Sequence, residues 1–150
     1  MMTVADINQN EENYVWWLTI MPDELMRLQQ LPRQLRESLD FSPASLDVLE
    51  RFILDNYTVD ELDSAKFKYA RDLYARYIGE TFRKNVPNTF WTCDLEDKNN
   101  IYYGIPVLKV KDLFAPPIAA PMLVFTLIHR NKNNFLSSYL EMLMEKTSGK

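Results

Sequence analysis

Three glycines, one cysteine and one histidine are spread over 150 residues, and each scarcity removes a class of chemistry. A phosphate-cradling loop needs clustered glycines so that the backbone can approach its ligand. Gly79, Gly104 and Gly149 are far apart, so neither a P-loop nor a dinucleotide fingerprint is present. The strained turn of a nucleophile elbow is missing for the same reason. A lone Cys93 excludes an internal disulfide and any multi-cysteine metal site, and it suits a reducing compartment. Long apolar runs are lacking too. The most membrane-like stretch, "APPIAAPMLVFTLI" at 115–128, holds three prolines and falls short of the roughly 20 apolar residues of a spanning helix. "MMTVADINQNEEN" offers neither the basic nor the apolar region of a secretory signal. These absences lead us to expect a cytoplasmic protein with no membrane contact.

What remains is ordinary globular material: 47% apolar and 25% charged residues, enough for one domain with a substantial core. The formal charge of −4 works against the general phosphate attraction of nucleic-acid binders. Aromatic residues, at 13%, supply large buried areas and also make good interface anchors.

Residues 1–13 are polar and read as a frayed N-terminus, with a single globular domain over 14–150. "YVWWLTIM" at 14–21 shows no period, so helix and strand are hard to separate; Pro22, Asp23 and Glu24 favour helix on both sides of a bend. "LDFSPASL" is the clearest local signal. Ser42 suits an N-cap, Pro43 the first helical position, and Phe41 a staple onto Leu46. Thr58 and Glu61 stand at capping-box spacing. A long helix is expected from about Ala65 to Asn85, ending before Pro87. "NTFWTCDL" and "IYYGIPVLKV" then read as two strands joined by "EDKNN", with Pro106 confining the second to an edge. Pro121 favours a helix over 121–130, which could also be strand, and "FLSSYLEMLMEK" closes the chain as an amphipathic helix. The fold class is therefore α+β and mostly helical, a long central helix packed with a β-hairpin at about 88–110.

Gly79 poses a question, because alanine in mid-helix is worth about 1 kcal/mol more. Wound at 100° per residue, Gly79 falls opposite the main apolar sector and four residues after Ala75. Such a notch suits another backbone crossing closely on a second covered face. Glu80 stands at the edge of the apolar sector, with Arg76, Arg83 and Lys84 within reach. Three cations lower a carboxyl pKa, which argues for an ion pair or a tryptophan N–H acceptor and against a general acid.

The order "LDFSPASLDVLE", "RYIGETFRKN" and then Trp91 resembles a group of uncharacterised bacterial single-domain proteins. Those proteins share a leucine–aspartate–aromatic–serine–proline start, a tyrosine–aliphatic–glycine–glutamate helix and a tryptophan. The resemblance covers residues 38–130. It implies a small α+β fold in a bacterial cytoplasm and an immunity or accessory role, and it carries no catalytic residue with it.

The residues name no catalytic, cofactor-binding or metal site. His129 in "IHRNKN" fits a helix C-terminus, Cys93 a core position, and Asp94, Glu96 and Asp97 a solvated hairpin tip. The expected function is a non-enzymatic protein-interaction domain of immunity or regulatory type, binding a protein partner whose identity the sequence does not give. Its candidate interaction residues are Trp91, Tyr102, Tyr103, Glu80 and Arg83, and no cofactor is expected. One alternative is a small hydrolase or ligand-binding enzyme using Glu80 or His129. Another is nucleic-acid binding by the Lys66–Lys84 helix, which its scattered charges disfavour. Homodimerisation through the edge strand stays open, discouraged by Pro106. Of the adjacent pairs Trp16–Trp17 and Tyr102–Tyr103, one member is expected to be the more exposed.

Overall fold

Polar residues open the first helix. The computed structural model describes residues 4–148, with side chains from Gln9 onward. Helix α1 spans Val4–Thr19, so residues 4–13 are helical where a frayed start was expected, and 1–3 lie outside the described residues. The chain bends at Ile20 into α2 (Met21–Leu25), whose second position is Pro22. A 3-10 turn over Met26–Gln30 and the short α3 (Arg33–Ser38) follow.

Local chemistry sets the next three boundaries. Ser42 caps α4 (Pro43–Asn56) by accepting from the Ser45 amide, with Pro43 in the first turn. Such a cap is worth about 1 kcal/mol. Phe41 meets α6: its ring stacks on Tyr77 at 4.8 Å and its amide donates to the Tyr77 hydroxyl. Those contacts, with Asn85 donating to its carbonyl, hold Phe41 at φ 61°, a conformation uncommon outside glycine. The Thr58–Glu61 capping box opens α5 (Val59–Asp63) with both of its reciprocal bonds formed. After a 3-10 turn at Ala65–Phe67, α6 runs over Lys68–Asn85.

Helix α6 is the centre of the molecule. Every residue from Leu73 to Phe82 is buried, so its two opposite faces are both covered. It packs along α7 (Ala120–Arg130) and carries the hairpin on another side, while α4 pairs with α8 (Phe135–Thr147). The core joins Leu46, Leu49 and Ile53 of α4 to Ile78 and Phe82, Leu127, and Leu136 and Leu140. Each such fully buried side chain contributes about 2 kcal/mol. Glu50, only 2% exposed, reaches across from α4 to accept from the amides of Phe135 and Leu136. Its carboxylate thus caps the positive end of α8, which offsets the cost of burying it.

The hairpin is shorter than its sequence suggests. Strand β1 (Thr89–Thr92) pairs antiparallel with β2 (Val107–Val110), and Trp91 lies opposite Leu108. Residues 93–106 form a folded loop, so Tyr102 and Tyr103 sit in turns and not on a strand. Asp94 organises that loop: its carboxylate accepts from the amides of Glu96 and Asp97 and from Asn100 Nδ2. Pro106 stands just before β2 and needs no ladder bond, and Leu108 pairs on its far side with Ile118. No helix among the described residues is long and apolar enough to cross a membrane.

Candidate functional site at the tryptophan seam

Gly79 is where the hairpin meets α6. A Cβ placed there would lie 2.2 Å from Cη2 and 2.5 Å from Cζ2 of Trp91. The close neighbour is therefore an indole ring, not the crossing backbone expected from the notch. With no side chain at Gly79, the six-membered ring of Trp91 lies flush on the helix.

Glu80, the next residue, fixes that ring in place. Trp91 Nε1 donates to Glu80 Oε2 at 2.8 Å, and Arg83 binds the same carboxylate with both arms, at 2.7 and 2.9 Å. Burial pushes the Glu80 carboxyl upward, but the bonds from Arg83 and Trp91, with the charges of Arg83 and Lys84, more than reverse it. Its pKa falls below the ordinary carboxylate range, so the group stays charged at neutral pH. Arg76 does not join this pair, and Lys84 lies over the Phe41 ring.

A second unit of the same kind lies further up α6. Trp17 Nε1 donates to Asp72 Oδ1 at 2.9 Å, and Arg76 Nε donates to Oδ2 at 2.6 Å. Arg76 also donates to the Trp17 carbonyl, and its guanidinium stands 4.2 Å from the Trp17 ring centroid. At 2% exposure this arginine is enclosed, with its charge matched by Asp72 and its face by the indole. Hydrogen bonds to charged groups are worth about 1.5–3 kcal/mol each. The two units meet where Trp17 and Trp91 pack edge to face, 5.0 Å apart. Together they fasten α1 and the hairpin to the central helix. The Asp72–Arg76 spacing of four was the one sequence signal for the second unit; its tryptophan comes from 55 residues away.

Beside this seam a cleft of about 320 Å³ opens between α1 and the 93–106 loop, lined by Asn10, Tyr14, Trp17, Cys93, Tyr103 and Pro106 among others. The Tyr14 hydroxyl is buried without a hydrogen-bond partner among the described residues. Burial, with a smaller contribution from Cys93, pushes its pKa up to about 12. Burial and then Asp94 likewise raise the Cys93 thiol, which leaves it a poor nucleophile at neutral pH.

The candidate residues do not form one face. Trp91 is turned inward, and Glu80 and Arg83 are its anchors. Tyr103 accepts from Asn10 on the α1 side, whereas Tyr102 lines a different hollow with Thr92, Val107 and Lys109. His129 is exposed at the end of α7, 3.7 Å from Asp63, and shares no partner with Glu80. Among the cations of the long helix, Arg71 donates to the carbonyls of Leu62 and Ser64, and Arg76 and Arg83 are paired. No group of three His, Cys, Asp or Glu residues suited to a metal ion occurs among the described residues. Large exposed apolar side chains stand elsewhere, among them Trp16 on α1, Met26, Tyr69 on α6, Phe90 on β1, and Ile101 and Phe114 in loops.

No protein-family model, curated protein or solved structure matches the chain.

Proposed function

We propose that the protein is a non-enzymatic interaction domain that binds a protein partner in a bacterial cytoplasm, with an immunity or regulatory role. The observation that carries this reading is the contrast at the end of α1. Trp17 is committed to Asp72 and Arg76, while Trp16 beside it is 63% exposed. A large rigid side chain left in water costs hydration and returns no fold stability, which is the profile of a binding anchor. The acids and thiol near the seam support the same reading, since Glu80 is held charged by Arg83 and the Cys93 thiol is raised. Recognition by the hairpin then falls to Phe90 and Ile101, not to Trp91.

Affinity capture from the organism that makes the protein tests this. Wild type is compared with Trp16→Ala and Ile101→Asp, each matched for thermal stability. A stoichiometric protein partner lost in one folded variant is expected. Retention of no protein by wild type, with a small molecule co-purifying instead, overturns the reading in favour of a ligand-binding enzyme.

A further inference from the structure

We infer that the outer face of α1 docks an arginine-bearing, cationic protein segment, with Trp16 as its platform; this rests on the interaction reading above. Glu11, Glu12, Val15, Trp16 and Thr19 line a shallow hollow of about 300 Å³ on that face. Val15 and Trp16 are 52% and 63% exposed. Glu12 precedes Trp16 by four residues, so its carboxylate stands one turn away on the same side. From Val4 to Thr19 the helix contains no lysine or arginine. Neither Glu11 nor Glu12 takes an ion pair within the described residues.

The molecule supplies the template for the missing part. It builds an indole–carboxylate–arginine unit twice, as Trp17–Asp72–Arg76 and as Trp91–Glu80–Arg83. In the first, the guanidinium lies over the ring while pairing with the acid. On the outer face of α1 the indole and the carboxylates are present and the arginine is not. A planar guanidinium can stack on the ring and reach a carboxylate at once, which a lysine ammonium does less well. A second copy of this chain is a poor occupant, because it would bring the same acidic helix against itself and carries a formal charge of −4.

The test places a photo-crosslinking residue at Val15 in the full chain, with Ile101 and Phe114 as separate positions, in the native cell. The protein captured from position 15 is purified and its affinity measured against wild type, Trp16→Ala and Glu11→Gln/Glu12→Gln at several salt concentrations. Trp16→Ala is expected to weaken binding by about 30-fold or more, as removal of a hot-spot tryptophan does. The double glutamine variant is expected to weaken it by about three- to tenfold and to flatten its salt dependence. Salt-independent binding that ignores the glutamines overturns the cationic partner, as does a crosslink to nucleic acid or to a second copy. Capture only from Ile101 or Phe114 overturns this surface and leaves the interaction reading standing. Capture from none of the three overturns both.

Discussion

Trp16 and Trp17 are adjacent on one helix and opposite in circumstance. Trp17 gives its N–H to Asp72 and its ring face to Arg76, and it packs edge to face with Trp91. Trp16 lines a shallow outer hollow with Val15, Thr19 and two glutamates. The chemistry available to both is the same, an indole with acids nearby, and the arginine decides the outcome. Where the chain supplies the cation, the unit closes on itself and becomes a fastening. Where it does not, the indole and its acids stay exposed. Glu80 falls on the closed side of that line, because Arg83 and Trp91 use up its carboxylate.

The comparison can be broken most forcefully at Trp91. Trp91→Ala removes the ring that covers Gly79 and one donor to the Glu80 carboxylate, and urea unfolding should show a loss of about 3 kcal/mol. Asp72→Ala should come next. It leaves Arg76 enclosed without its acid, and the expected loss is about 2–3 kcal/mol by the same measurement. Asp72→Asn, which keeps the shape but not the charge, should lose nearly as much; a stability equal to wild type would show that the charge does not matter there.

Glu80→Gln gives a smaller effect with a pH signature. The folded-state pKa of Glu80 is depressed, so its contribution is fully present above the unfolded value of about 4.3. It is lost as pH falls through the lower folded value. The stability gap between wild type and Glu80→Gln should therefore be constant near neutrality and close progressively below about pH 4. A gap that widens on acidification would mean that the carboxyl is protonated in the fold. Smallest of all, Trp16→Ala should change stability by no more than about 0.5 kcal/mol, because the side chain is outside the core. A loss like that of Trp91→Ala would move Trp16 to the closed side of the comparison.

What the sequence discloses is what neighbouring residues decide. The Ser42 cap, the Thr58–Glu61 box and the end of α6 at Asn85 each rest on contacts within a few positions, and all three stand in the fold, whereas the expected start of α6 at Ala65 is a 3-10 turn and the α-helix begins at Lys68. The start of α1 was hidden because its polar residues give no apolar period. The length of the hairpin was hidden by a different cause. "IYYGI" has the composition of a strand, but the Asp94 carboxylate and Asn100 turn that stretch into a loop that closes at Gly104, whose φ is 72°. Gly79 announced a close neighbour without saying which kind. The Glu50 cap on α8 and the Trp17 bond to Asp72 join residues too distant in the chain for any local pattern. Of the candidate site, the ion pair of Glu80 was legible from its flanking cations, but its burial was not. The outward role of Trp16 was legible only as a choice between two neighbours.

The claim that the seam is fastening and not a binding face rests on Gly79, and a double-mutant cycle tests it directly. Gly79→Ala is measured by urea unfolding in wild type and in Trp91→Phe, whose shorter ring lacks the two atoms that approach Gly79 most closely. In wild type the added methyl meets a ring pinned by Glu80 and Trp17, and a net loss of about 1–2 kcal/mol is expected despite alanine's better helix propensity. In Trp91→Phe the same substitution should become neutral or stabilise by up to about 1 kcal/mol. An identical effect in both backgrounds would contradict the account, because Trp91 would then not be the residue for which the glycine makes room.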